Sequence, residues 1–332
     1  MSPKLKPLDE QVMVITGASS GIGLTTARKA AEAGASVLLV ARNEAALRKA
    51  VKGIAAAGGT ADYAVADVGE EEQVQAVVDK AVKRFGGFDT WVNDAGVGIY
   101  APLTETPTDE HARLFKTNYW GVVFGSLAAV RHLRRRGGAL VTVASVASDL
   151  PSPLLGAYAA SKHAVAGFMD TLRIELLADK APVSVTVIKP SGIGTPFAEH
   201  AMNHLDGKAL IPPPVYAPEL VADAILDAAV HPTRETTVGG AGRLQTLFKT
   251  LAPGLFAEVA PQMMRLMSDS HEPETGSSSL FKPAQDGREY SRDGRGRGFS
   301  VYTAAETHPK LAIGLGLLAG LGIAAALQAR RA

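Results

Sequence analysis

Seven short apolar runs alternate with longer stretches whose apolar residues recur at helical spacing. The runs Gln11–Thr16, Ser36–Ala41, Ala61–Ala66, Asp89–Asn93, Ala139–Ser145, Val183–Lys189 and Thr236–Gly239 read as strands. Helices are expected at Gly21–Ala33, Glu44–Ala57, Glu70–Phe85, Asp109–Arg135 (as two helices), Ala157–Ala178 and Ala217–His231. Strands that are apolar on both sides must be covered on both faces, which the intervening helices do for a parallel sheet. Right-handed crossovers then give an α/β fold with a doubly wound, mostly parallel sheet. Ligands bind such a sheet beyond the carboxyl ends of its strands, where Gly17, Arg42, Asp67, Asn93, Ser145 and Pro190 fall.

Two features at those strand ends carry chemistry. The first strand breaks into Thr16-Gly17-Ala18-Ser19-Ser20-Gly21-Ile22-Gly23 and then into a helix. Spaced glycines let the backbone approach a pyrophosphate, and the free N–H groups and dipole at a helix start favour negative charge. Farther on, Tyr158 and Lys162 stand four residues apart, with Ser145 thirteen residues upstream of Tyr158. That offset puts phenol and ammonium on one helix face, about one turn apart. A neighbouring ammonium favours the phenolate, so the Tyr158 pKa is expected to fall from about 10 towards the range of a working acid or base. Ser145 would hold the oxygen that gains or loses the proton.

Together these residues resemble the short-chain dehydrogenase/reductase family, whose core is a Rossmann fold, over about residues 8–240. The family's glycine motif corresponds to Thr16, Gly17, Gly21 and Gly23, with Ser19, Ser20 and Ile22 inside the turn. Its adenine-contacting Asp corresponds to Asp67, followed by Val68, and its NNAG motif to Asn93-Asp94-Ala95-Gly96. The loop after the sixth strand is Pro190-Ser191-Gly192-Ile193-Gly194-Thr195. The resemblance implies catalytic roles for Asn118, Ser145, Tyr158 and Lys162. It also implies coenzyme contacts from the glycine turn, Asp67, Val68, Asn93, Ala95, Gly96, Tyr158, Lys162, Pro190, Gly192, Ile193 and Thr195. Hydride would pass between a nicotinamide and a carbinol or carbonyl carbon while Tyr158 moves the hydroxyl proton. Lys162 would tune Tyr158 and bond the nicotinamide ribose, and Asn118 would hold a water that relays protons. Two positions depart from the pattern: Asp94 replaces an Asn at a structural turn, and Ser191 replaces a Gly.

Coenzyme choice is read at Val40-Ala41-Arg42-Asn43. An NAD site places an acidic residue there for the ribose 2′-OH, whereas Ala41 occupies that position and Arg42 follows. A guanidinium suits a 2′-phosphate by charge and by its planar fork, so NADP(H) is expected over NAD(H). The substrate is a small-molecule alcohol or carbonyl compound, expected to be lipophilic. A non-catalytic dinucleotide-binding scaffold and a same-fold epimerase or dehydratase remain the alternatives.

Composition narrows the classes. The formal net charge is +1, with no basic face to bind nucleic acid, and the absence of cysteine excludes disulfides and thiolate chemistry. The eight histidines form no ligand-spaced cluster, so no metal is expected. The first residues lack the apolar core of a signal peptide, implying a cytoplasmic catalytic domain. The 332 residues exceed the about 250 that one such domain needs. Residues 1–240 are assigned to the catalytic domain, 241–267 to a helical extension, 268–309 to a polar linker and 310–332 to an apolar helix. Within the last, 311–327 carries no charge and is expected to anchor the chain to a membrane, a helix docked on another subunit being the competing reading. A homo-oligomer is also expected.

Overall fold

The computed structural model describes residues 3–273, 278–284 and 287–307. Its centre is a parallel sheet of β1 (Val12–Thr16), β2 (Ser36–Ala41), β3 (Thr60–Val65), β4 (Thr90–Asn93), β5 (Gly138–Val143), β6 (Val183–Pro190) and β7 (Glu235–Val238), in the order β7-β6-β5-β4-β1-β2-β3. In register, Val14 of β1 lies beside Leu38 of β2 on one side and Trp91 of β4 on the other. The chain first builds outward from β1 to β3 and then returns to place β4 against β1. That reversal opens a crevice at the carboxyl ends of β1 and β4, where such sheets bind ligands.

Successive strand residues point to opposite faces, and both sets are apolar. Met13, Ile15, Val37 and Leu39 pack on one face with α1 (Gly21–Glu32) and α2 (Glu44–Ala56), while Val14, Leu38, Val40 and Trp91 pack on the other. The second face is covered by α3 (Glu71–Phe85), by α5 (Gly121–Arg136), which follows α4 (Thr108–Phe115), and by α6 (Gly156–Ala178). The first face is completed by α7 (Pro218–Val230), which lies against α1. Each Leu or Val sealed in these layers contributes about 1.5–3 kcal/mol relative to exposure, which makes the continuous apolar strands a requirement of the two-sided sheet.

Local chemistry sets the element ends that matter for the site. The Asn43 side chain accepts from the Ala46 N–H at 3.0 Å and so starts α2 immediately after Arg42. β5 stops at Val143, two residues before the expected end, because the Ser145 hydroxyl accepts from the Ala147 N–H at 3.1 Å and opens a short 3₁₀ turn. The two helices expected within 109–135 are joined by a wide π turn over Lys116–Trp120. The 241–267 extension forms Gly240–Leu251, Pro253–Val259 and Pro261–Met264, the last two opening on proline.

The described part of 268–309 is not a free linker, which corrects the compositional reading. Ser268–Asp269 pairs antiparallel with Lys208–Ala209, and Leu280 is fully buried with Val97, Ile99 and Leu114. The Glu199 carboxylate accepts from Arg288 (2.5 Å), from the Ser291 hydroxyl (2.8 Å) and from the Arg292 N–H (2.8 Å). The helix Val301–Thr307 lies along β7, where Thr303 Oγ1 and Glu306 accept from the Gly239 and Thr237 N–H groups, each at 3.0 Å. A polar composition suggests disorder, but here the polar groups are paired with partners far away in sequence. The 311–327 segment lies outside the described residues, among which no helix is long and apolar enough to cross a membrane.

Candidate active site

The turn after β1 owes its shape to glycine. Gly17 and Gly21 have φ of +72° and +52°, in the left-handed region. A Cβ on Gly17 would stand 2.8 Å from the Ala95 nitrogen, and one on Gly23 would stand 2.6 Å from the Gly17 oxygen. Thr16 closes the arrangement: its hydroxyl accepts from the Asp94 and Ala95 N–H groups at 3.0 and 3.2 Å and donates to the Val92 carbonyl at 3.2 Å. The turn is thereby pinned across the crevice to the segment after β4.

One cavity of about 390 Å³ runs from this turn across the sheet ends. Of the residues singled out from sequence, Gly17, Ser19, Ser20, Gly21, Ile22, Arg42, Asp67, Val68, Ala95, Gly96, Ser145, Tyr158, Lys162, Pro190, Gly192, Ile193 and Thr195 line it. Thr16, Gly23, Asn93 and Asn118 do not; they support its walls. Asn93 accepts from the Trp91 indole at 2.7 Å and donates to Ser126 and Thr142 at 3.0 and 3.2 Å, tying β4 to α5 and β5. Asn118 has no exposed surface: its Oδ1 accepts from the Val97 N–H at 2.8 Å, and its Nδ2 donates to the Val97 carbonyl (3.0 Å) and to Ser161 (3.1 Å). Ser161 in turn donates to the Tyr158 carbonyl at 2.7 Å, so Asn118 fixes the first turns of α6. Both amide N–H groups are committed to protein partners, which leaves the expected water relay no free side-chain donor.

Ser145, Tyr158 and Lys162 meet at the cavity wall, where the Lys162 ammonium lies 5.6 Å from the Tyr158 ring centroid. Lys162 is buried and donates to the Val143 carbonyl at 2.9 Å. Burial pushes the Tyr158 phenol up to about 12; the Ser145 hydroxyl opposes this and the charge of Asp94 adds to it. The direction is opposite to the expected lowering: removal of water from the phenol dominates its environment. Burial also pushes the Lys162 ammonium down to about 8 against the pull of Asp94. The Asp94 carboxyl rises to about 8 for the same reason, against Lys162 and the Gly23 N–H. Sequence reasoning placed Asp94 only in a turn. Its coupling to Lys162 becomes visible once β4 and α6 face one crevice.

The polar end of the cavity is built around Arg42, Asp67 and a residue that sequence gave no sign of, Arg113. Arg113 pairs with the Asp67 carboxylate at 2.5 Å, and Asp67 also accepts from the Gly69 N–H at 3.0 Å. Burial pushes the Asp67 carboxyl up, but the bonds from Arg113 and Gly69 and the charges of Arg113 and Arg42 outweigh it and hold the group below its usual range. Arg42 donates to the main-chain carbonyls of Ser279 and Leu280. The opposite end is apolar, walled by Tyr100, Leu155, Phe197, Ile211, Phe256 and Met267.

This donor set fits a nicotinamide dinucleotide. The glycine turn offers backbone N–H groups at a helix start, Arg42 offers a phosphate-binding fork, and Gly96 leaves its surface bare near Lys162, where a Cβ would stand 3.9 Å from Nζ. The family model described as short chain dehydrogenase matches residues 11–206. An uncharacterized oxidoreductase of Bacillus subtilis is 44% identical over 264 residues, covering 79% of this chain and 74% of that protein. An 11-beta-hydroxysteroid dehydrogenase A of Arachis hypogaea is 33% identical over 258 residues, covering 74% of this chain and 73% of that one. The solved alcohol dehydrogenase of the archaeon Thermococcus sibiricus, complexed with 5-hydroxy-NADP, matches with a TM-score of 0.61 at 27% identity over 69% of this chain and 95% of its own.

Proposed function

The chain belongs to the short-chain dehydrogenase family and is an oxidoreductase of that type; from that premise we propose that it interconverts a lipophilic alcohol and its ketone or aldehyde with NADP(H). The observation that carries this reading is the meeting of Ser145, Tyr158 and Lys162 in one cavity, with the Lys162 ammonium 5.6 Å from the Tyr158 ring centroid and the cavity polar at one end and apolar at the other. When bound, the coenzyme supplies the hydride donor or acceptor. The chain supplies the proton and the positioning.

A Tyr158 phenol held near 12 keeps its proton at neutral pH, so in that range it serves as the acid that protonates a carbonyl oxygen. Ser145, on the same cavity wall, donates to the same oxygen and stabilises the charge that develops there. The Lys162 ammonium stabilises the phenolate left behind. Asn118 acts as a positioning residue, through Ser161 and the start of α6. Alcohol oxidation needs the phenolate, so this direction gains as pH rises towards the Tyr158 value.

NADP(H) is supported by Arg42 after an uncharged Ala41 at the end of β2. A lipophilic substrate is supported by the aromatic and aliphatic wall and by the hydroxysteroid activity named for the Arachis relative. The test is to present bulky ketones with NADPH and with NADH and follow coenzyme absorbance. NADPH consumption on a lipophilic ketone is expected, and a protein that prefers NADH would contradict the coenzyme assignment.

A further inference from the structure

The donors at the polar end of the cavity are already engaged, and by this chain's own C-terminal segment. Arg42 donates to Ser279 O and to Leu280 O (3.4 Å), while Arg113 donates to Leu280 O at 2.9 Å. Asn43 Nδ2 donates to Ala284 O at 2.6 Å. In the glycine turn the Gly21 N–H donates to Arg288 O at 2.9 Å, and Glu289 accepts from Thr25 at 3.1 Å and pairs with Arg28. Leu280 holds the segment down, sealed among Val97, Ile99 and Leu114. Ser279, Pro283 and Ala284 form part of the cavity wall on the side of Arg42 and Asp67.

We propose that residues 279–284 and 287–289 are a strap closed over the adenosine end of the coenzyme site, which must release Arg42 before a 2′-phosphate can take it. The proposal rests on the NADP(H) reading above. Carbonyl oxygens of the strap and phosphate oxygens of the ligand are acceptors competing for the same guanidinium fork, and the phosphate carries the charge that makes its bonds stronger. The strap spans from the start of α2 to the start of α1, so it lies across the way in to the adenosine end. Coenzyme association and dissociation therefore both wait on its opening, a gating step of the kind that loops and lids impose on turnover. The strap is a continuation of the chain, so it is present at every encounter at an effectively fixed concentration.

The geometry provides a reversible lock. A Cβ on Gly287 would stand 3.1 Å from the Ala46 Cβ, a little inside the about 3.5–4.5 Å of a disulfide. The chain has no cysteine of its own, so the double variant Ala46→Cys, Gly287→Cys can form one bridge only. NADPH association and dissociation would be followed by stopped-flow fluorescence of the full-length protein, oxidised and reduced. Oxidation should slow both at least about tenfold, and reduction should restore the wild-type rates. Equal rates in the two states would overturn the strap. If thiol titration shows that no bridge forms, Leu280→Ser serves instead: loss of its apolar hold should raise both rates severalfold, and unchanged rates would overturn the proposal. Absence of NADPH binding in both wild type and the reduced variant would instead refute the coenzyme reading on which the strap depends.

Discussion

The polar end of the cavity takes its residues from loops that directly follow β1, β2, β3 and β4, whereas the apolar end gathers Tyr100, Leu155, Phe197, Ile211, Phe256 and Met267 from widely separated segments. The first end depends on backbone conformation and on particular donors. Glycine is needed where φ is positive and where a Cβ would collide, and the donors suited to a phosphate there are N–H groups and a guanidinium. The second end asks only for apolar volume, which several residue types supply with little cost to the fold. A chain can therefore change its substrate by altering the second end while the first stays intact, and similarity to named relatives speaks more directly to the coenzyme than to the substrate.

If the two ends work independently, substitutions should separate them. Arg42→Asp removes a charge-assisted contact and adds repulsion, so the NADPH to NADH affinity ratio should fall by about ten- to a hundredfold. Fluorescence titration of both coenzymes checks this, and KM for a lipophilic ketone should hold at saturating coenzyme. An unchanged ratio would contradict Arg42 as the 2′-phosphate ligand, and with it the competition on which the strap rests. Ile211→Ser is a smaller intervention at the other end. Ile211 is partly buried at the cavity wall, and loss of its contact should raise KM for a lipophilic substrate by about three- to tenfold while leaving the NADPH Kd unchanged. A matching loss of coenzyme affinity would show that the two ends are coupled.

The same contrast explains what could be read before the structure. The sheet was legible because two-sided burial leaves strands such as Ser36–Ala41 continuously apolar, and the phosphate turn because Gly17 and Gly21 sit where only glycine is comfortable. Tyr158, Lys162 and Ser145 were legible as a helix pair and a strand end. What escaped depends on tertiary placement. Arg113 reaches Asp67 across 46 residues, and Leu280 anchors a segment whose composition is otherwise that of a linker. The direction of the Tyr158 shift depends on tertiary placement as well: the four-residue spacing brings a cation near, while the fold decides how completely water is excluded.

The claim that Tyr158 moves the substrate proton is tested most directly by Tyr158→Phe. The substitution removes one oxygen and keeps the ring that meets Phe197 edge-on at 5.2 Å. With NADPH and a ketone that the wild type turns over, kcat should fall by about 10²–10⁴-fold, the usual contribution of a positioned acid. The NADPH Kd, measured by fluorescence on the same preparation, should change little. A variant that binds NADPH normally and retains near wild-type kcat would contradict the account.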